Sequence, residues 1–340
     1  MQRMGSEKCV GVVGDWDADG VVSSAEIVYA QEFLGLYPER EKMRTVLAPA
    51  GPRTIDEALK HISESGCRTL VLLDIPYTSG VLSSLKRYRE SFSRIIYVDH
   101  HLSSIVNSRR LEDVVDELFL GKAPTAVLVS HIIKSCGGRL TPRLEAFVSA
   151  AAFTERGGDR RSFARYRRLV AIVVAVSRKL SHERNRDLWE RLVRWLASPL
   201  TMAAMPFSTD IARMVEVRDL EKHLKELRYL AMELAPSALR VANVRIVDAS
   251  KLRDVKLSAL ASQLYRVLRA PVIVVGVRKG RRIAVIRSRD DLPYRLALKL
   301  YEKGVAKDLG GHQSIAVLVL RDDVDVRKLA EEVMRCLYEI

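Results

Sequence analysis

Along the first 155 residues, short apolar runs alternate with stretches in which apolar residues recur every three or four positions. The runs Cys9–Val13, Thr45–Ala48, Thr69–Leu73 and Arg94–Val98 are bounded by turn formers and predict strands. Helical spacing fills the intervals Val21–Leu36, Thr54–Glu64 and Ser79–Ser91, and two more helices are expected over Ala123–Cys136 and Thr141–Phe153. Strands that are apolar throughout, rather than alternating, belong to a parallel sheet covered on both faces. From 160 to 235 the pattern is helical only: Arg160–Ser177, Arg184–Ala197 and a long charged helix over Ser208–Leu234, stopped before Pro236. Beyond it, strands are expected at Asn243–Asp248, Pro271–Val277, Arg282–Arg287 and Ile315–Leu320, with a hairpin turn at Lys279-Gly280-Arg281. Helices over Leu257–Leu268, Tyr294–Glu302 and Asp325–Tyr338 complete this part. The expected class is α/β: a parallel-sheet N-terminal domain over 1–158, a helical connector over 159–236, and a smaller α/β C-terminal domain with a mixed sheet over 237–340.

Composition narrows the picture. The chain has 340 residues, 48% of them apolar, which suits two or three units with ordinary cores. No apolar run approaches the roughly 18 residues of a membrane span. Met1-Gln2-Arg3 is not followed by the apolar stretch of a secretory leader, so a cytoplasmic protein without membrane contact is expected. The cysteines Cys9, Cys67, Cys136 and Cys336 stand far apart without a Cys-x-x-Cys pair, which predicts buried thiols rather than a zinc site or a disulfide framework. Asn and Gln are scarce, three and four, while Arg is plentiful, as in heat-adapted proteins. The net charge of +14 is unevenly spread: residues 1–155 hold 18 Lys and Arg against 20 Asp and Glu, and the excess lies beyond them. Such asymmetry points to a polyanionic partner bound mainly by the second half, with Arg160, Arg161, Arg165, Arg167 and Arg168 as candidates to track a phosphate backbone.

The chemistry is written at the strand ends. The first run leads into Asp15-Trp16-Asp17-Ala18-Asp19-Gly20, the third into Asp74, the fourth into Asp99-His100-His101. In a parallel sheet all carboxyl ends share one edge, and ligands bind there. A lone Asp at a strand end usually caps a helix or turns the chain; repetition at successive strands is what predicts carboxylates and imidazoles converging on one spot. So much negative charge calls for cations, and Asp with His but no Cys favours two Mn2+ ions, with Mg2+ as the alternative. Two ions about 3.5–4 Å apart are the usual arrangement for phosphoester hydrolysis by water, without a nucleophilic side chain. An EF-hand loop is excluded, since the stretch follows a strand and lacks the later Glu. His61, His131, His182 and His223 sit in helical contexts as surface or packing residues.

Gly14-Asp15-Trp16-Asp17-Ala18-Asp19-Gly20, Asp74 and Asp99-His100-His101 resemble the first three motifs of the DHH phosphoesterases, and the first is most similar to that of RecJ-like exonucleases. Gly310-Gly311-His312, with Arg287-Ser288 on the preceding strand, resembles the substrate-binding domain that accompanies DHH domains. The resemblance implies that Asp17, Asp19, Asp74 and His100 are metal ligands, with Asp74 bridging. It also implies that His101 contacts the scissile phosphate, that Asp99 orients the neighbouring histidine, and that Arg287, Ser288, Gly310, Gly311 and His312 hold a substrate phosphate or terminal nucleotide. Two positions depart from the family pattern. Val13 stands where many members carry a histidine, leaving Asp15 as its substitute, and Glu155 stands near the place of the fourth-motif aspartate, with Asp159 as fallback. The implied activity is metal-dependent exonucleolytic hydrolysis of single-stranded DNA or RNA, or of short oligonucleotides. The alternative is a catalytically impaired nucleic-acid-binding scaffold in a replication or repair complex. Replication and repair proteins, or a second copy of the chain, are the candidate protein partners.

Overall fold

The computed structural model describes residues 8–156, 160–199, 218–252 and 255–340, with the side chains of 156, 160–168 and 218–224 outside that description. Its contacts divide the chain into two units, Met1–Thr154 with Gly158–Val217, and Glu155–Gly157 with Arg218–Ile340.

In the first unit the apolar runs become strands β1 (Cys9–Gly14), β2 (Arg44–Pro49), β3 (Thr69–Leu73) and β4 (Arg94–Asp99), joined by a fifth, β5 (Glu117–Leu120). All pair in parallel in the order β2-β1-β3-β4-β5. Successive side chains on a strand point to opposite faces, so a run apolar throughout feeds two cores. Val10, Val12, Leu47, Val71, Leu73, Ile96 and Val98 pack on one face, under α1 (Ala18–Val28), α6 (Thr125–Ser135), α7 (Pro142–Arg156), α8 (Arg160–Glu183) and α9 (Arg186–Ala197). Val13, Ala48, Leu70, Leu72, Ile95 and Tyr97 pack on the other, under α2 (Ile55–Glu64), α3 (Ser79–Tyr88) and α5 (Ser108–Glu112), with the short α4 (Leu102–Val106) next in the chain after β4. α1 continues as a π-helical turn over Tyr29–Leu34 and stops at Gly35, whose φ of 63° suits glycine. Sequence reading missed β5 because this short edge strand is half-exposed along its length and lacks a buried run.

The helices from 160 to 197 pack into the first unit. Ser177 Oγ accepts a hydrogen bond from Ala18 N at 2.9 Å, and the fully buried Trp189 donates its indole N–H to the Asp15 carbonyl at 2.8 Å. Arg143, also fully buried, donates to the Leu196 carbonyl at 3.1 Å and to the carbonyls of Trp195 and Ser198, closing the end of α9.

The expectation of unpaired thiols fails at one pair. Cys9 and Cys67 form a disulfide, with Cα atoms 4.7 Å apart. The reason is topological: β1 and β3 are parallel neighbours with Val10 opposite Thr69, so residues starting or just preceding them meet whatever their separation in sequence. Cys136 and Cys336 are free, the latter buried.

The second unit runs α10 (Arg218–Leu234), β6 (Leu239–Val241), β7 (Val244–Asp248), α11 (Leu257–Leu268), β8 (Val272–Arg278), β9 (Arg281–Arg287), α12 (Leu292–Glu302), β10 (Ala306–His312), β11 (Ile315–Leu320) and α13 (Val326–Glu339). The expected Ser208–Val217 part of the long helix lies outside the described residues. The sheet is mixed, in the order β10-β11-β9-β8-β7-β6, with β7 and β8 parallel and the other pairs antiparallel. The expected hairpin joins β8 to β9, and Lys279 and Gly280 both take positive φ, 48° and 74°, as a two-residue turn matched to strand twist requires. Ala231, Leu260 and Leu264 cover Val247, Val272 and Val274. No helix among the described residues is long and apolar enough to cross a membrane.

Candidate metal centre

From β1 the chain crosses to β2 on one side and returns to β3 on the other, so the sheet's crevice opens between the carboxyl ends of β1 and β3. Asp15 follows β1 there, and its N–H donates to the Leu73 carbonyl at 3.2 Å. Asp17 caps α1: its Oδ1 accepts from Asp19 N at 3.0 Å and Gly20 N at 3.1 Å. Gly20 is required, since a Cβ there would lie 2.4 Å from the Asp15 carbonyl oxygen. Asp19 Oδ2 accepts from Thr125 N at 2.7 Å and its Oδ1 from Ala126 N at 3.0 Å, so this carboxylate closes the N-terminus of α6. It also stands 3.7 Å from His100 Nε2.

Asp74, 1% exposed, follows β3 in the left-handed region at φ 62°, rare for a residue with a Cβ. Its Oδ1 accepts from Thr125 Oγ1 at 2.9 Å and lies 3.3 Å from His100 Nε2 and 3.8 Å from His101 Nδ1. Asp99 closes β4, fully buried, with Oδ1 2.7 Å from His101 Nδ1 and Oδ2 accepting from Ser104 Oγ. Ser104 is itself held by Tyr77 N at 2.9 Å. Two donor groups result: Asp15, Asp17 and Asp74 offer atoms within 4.8 Å of one another, and so do Asp74, His100 and His101. Asp74 belongs to both.

Charge is the dominant fact of this crevice. Burial, and after it the charge of Asp17, raises both Asp15 and Asp19 to about 7. Burial and the charges of Asp19 and Asp17 lift Asp74 well above the carboxylate range. Burial would raise Asp99 too, but the charge and hydrogen bond of His101 win, and its pKa falls. Burial likewise pulls His101 down, yet Asp99 prevails and raises it to about 9. Carboxylates that hold protons near neutrality are short of positive charge. An oxygen-and-imidazole donor set without sulfur fits hard or borderline divalent ions.

A basic cluster occupies the second unit. Arg287, at the end of β9, donates from Nη1 to Ser314 Oγ at 2.7 Å and to the Ser314 carbonyl at 3.1 Å. Ser288, buried, donates its N–H to the same carbonyl at 3.1 Å. Arg266, Arg287 and Arg289 line one cavity of about 160 Å³ with Ser262, Tyr265 and Ser314. Burial, and behind it the charges of Arg266 and Arg289, outweigh Glu155 and lower the pKa of Arg287. Gly310, Gly311 and His312 end β10, paired with Val317, Ala316 and Ile315. Gly311 has φ 96°, and a Cβ there would lie 2.2 Å from the Ile315 carbonyl oxygen.

Comparison of the sequence with protein-family models and with curated proteins finds no match. Solved structures do match. RecJ from Thermus thermophilus, in complex with Mn2+, superposes with a TM-score of 0.56 at 15% identity, over 98% of this chain and 52% of that one. The DHH domain of a protein assigned to a family of ribosomal proteins gives a TM-score of 0.59 at 14% identity, over 97% of this chain and 86% of that one. The chain thus spans about half the length of that RecJ. The fold is that of the DHH phosphoesterases. Within the DHH fold, Asp15, Asp17, Asp74, His100 and His101 come together at one crevice, braced by Asp19 and Asp99. Glu155 groups with the second unit, 3.0 Å from His312. Asp159 lies outside the described residues, as do the side chains of Arg160, Arg161, Arg165, Arg167 and Arg168. Sequence reading missed Thr125, which bonds both Asp19 and Asp74, although Pro124-Thr125 is a recognisable helix start. It also missed Ser104, Trp189, Arg266 and Arg289, whose contacts depend on packing that no motif announces.

Proposed function

We propose that this chain is a divalent-metal-dependent phosphodiesterase that hydrolyses single-stranded nucleic acid or short oligonucleotides from an end. The observation that carries this reading is Asp74, shared by two donor groups at the crevice of a DHH fold. Asp15, Asp17, Asp74 and His100 would hold two ions, with Asp74 common to both. Mn2+ is favoured by the mixed oxygen and nitrogen donors. Ions held there would supply Lewis acidity and an activated water for in-line attack on phosphorus.

The protein's own groups do the rest. Asp99 fixes a proton on His101 Nδ1, so that a positive imidazolium faces the charge that builds on the phosphoryl oxygens. Ser104 and Tyr77 N hold Asp99 in turn. Asp19 ties α1 to α6, whose N-terminal N–H groups add positive potential beside the carboxylates. In the second unit Arg287, Ser288, Gly310, Gly311 and His312 would grip the substrate, joined by Arg266 and Arg289 around the cavity. A cavity that gathers three guanidinium groups suits a phosphate-bearing terminus, which favours exonucleolytic over internal cleavage.

DNA and RNA oligonucleotides, labelled separately at each end, are incubated with the protein and Mn2+, with EDTA as control. Metal-dependent release of mononucleotides is expected. Oligonucleotide retention without turnover at high protein concentration would replace the enzyme with the binding-scaffold alternative.

A further inference from the structure

Glu155 stands near the place in the sequence where the family resemblance puts a metal ligand, and its carboxylate meets a histidine of the second unit. Its Oε2 is 3.0 Å from His312 Nε2, with both side chains about four-fifths buried. Its backbone carbonyl accepts a hydrogen bond from Ser314 Oγ at 2.8 Å. The same Ser314 hydroxyl accepts from Arg287 Nη1 at 2.7 Å, so it relays between Glu155 and the arginine. One residue therefore holds both sides of the β10–β11 turn, His312 by its carboxylate and Ser314 by its main chain. Glu155 also supplies negative charge against the mutual repulsion of Arg266, Arg287 and Arg289.

We propose that Glu155 is a positioning residue for substrate rather than a ligand to a metal ion: its carboxylate fixes the ring of His312 and its main chain fixes Ser314, and together they shape the phosphate grip. The inference rests on the reading that the second unit holds the substrate. A carboxylate on one imidazole nitrogen sets the tautomer and the ring orientation. Without it, the ring turns and the binding surface loses definition before substrate arrives. The consequence falls on substrate binding, not on ion loading.

The parent chain is compared with Glu155→Ala, Glu155→Gln, His312→Ala and the Glu155→Ala/His312→Ala double variant. Mn2+ stoichiometry and affinity are read by electron paramagnetic resonance without substrate. Oligonucleotide affinity is read by fluorescence anisotropy in EDTA, and KM and kcat on a labelled single strand in Mn2+. Glu155→Ala is expected to bind Mn2+ as the parent does, while KM and the dissociation constant rise roughly tenfold to a hundredfold, the value of a charge-assisted hydrogen bond. Glu155→Gln, which keeps the shape and one hydrogen bond, is expected to recover most of that loss. The double variant is expected to be no worse than His312→Ala, since the two residues act as one. Loss of one Mn2+ equivalent in Glu155→Ala or Glu155→Gln would overturn the proposal and restore the ligand role. Unchanged oligonucleotide affinity in Glu155→Ala would overturn it as well. A parent that binds strands but never cuts them would sink the hydrolase reading alone; weaker binding by Glu155→Ala would still uphold the positioning role.

Discussion

Asp74 holds a left-handed backbone, at φ 62°, at the carboxylate common to both donor groups. Unfavourable φ and a buried charge among like charges both cost stability, and they coincide at the position the chemistry needs most. Replacing the carboxyl with an amide removes the cost of keeping that buried group protonated among like charges, while keeping the shape. Asp74→Asn is therefore expected to stabilise the ion-free protein by about 0.5–2 kcal/mol while abolishing hydrolysis and Mn2+ binding. Urea unfolding in EDTA and Mn2+ titration check the two halves; a destabilised variant that still binds Mn2+ would contradict both. Asp15, Asp17, Asp74 and His100 were legible because parallel strands force their ends onto one edge, whatever the details of packing. Thr125 and Trp189 were not. Their bonds to Asp74 and Asp15 span 51 and 174 residues, and nothing local in the sequence records such a meeting.

Elements explain why some segments could be read and others not. β1, β3 and β4 are buried on both faces along nearly their whole length, and that apolar pattern survives without neighbours to interpret it. β5 and β10 lie at sheet edges, where one flank needs no apolar cover, and β10 ends in the polar, glycine-containing Gly310-Gly311-His312. The family resemblance assigns those residues to holding a substrate phosphate or terminal nucleotide. Folded, they continue a strand, and only Gly311 is conformationally demanding. Gly311→Ala must place a methyl group against the Ile315 carbonyl, so it is expected to cost the second unit about 1–3 kcal/mol. Mn2+ binding by the first unit should be unaffected. Differential unfolding followed by hydrogen exchange, with Mn2+ titration alongside, would expose an effect that spread to the metal centre.

For the whole molecule, acids gather at the crevice of the first unit and three arginines line the cavity of the second, while the arginine-rich stretch 160–197 belongs to the first unit. The disulfide was illegible for the opposite reason to the crevice, because spacing in sequence carries no information about which strand starts become neighbours. The acids also set a pH response. Asp15 and Asp19 take up protons at about 7 when folded and at 3.8 ordinarily, so the folded state binds more protons between those limits. Stability of the ion-free protein from these groups must therefore fall as pH rises from about 4 to 7. His101, raised from 6.5 to about 9, extends the decline: its stabilisation is complete below 6.5 and lost above about 9. Mn2+ must displace those protons, so its affinity is expected to rise over the same range. Melting curves in EDTA and in Mn2+ across that range check the sign; stabilisation by Mn2+ that shrinks with rising pH would contradict it. Trp16 sits between Asp15 and Asp17, and Trp189 is bonded to the Asp15 carbonyl, so two of the three tryptophans border the same acidic residue. The molecule thereby carries its own optical gauge: paramagnetic Mn2+ entering the crevice should dim the indole emission, and loading can be followed in a fluorimeter with no label and no substrate.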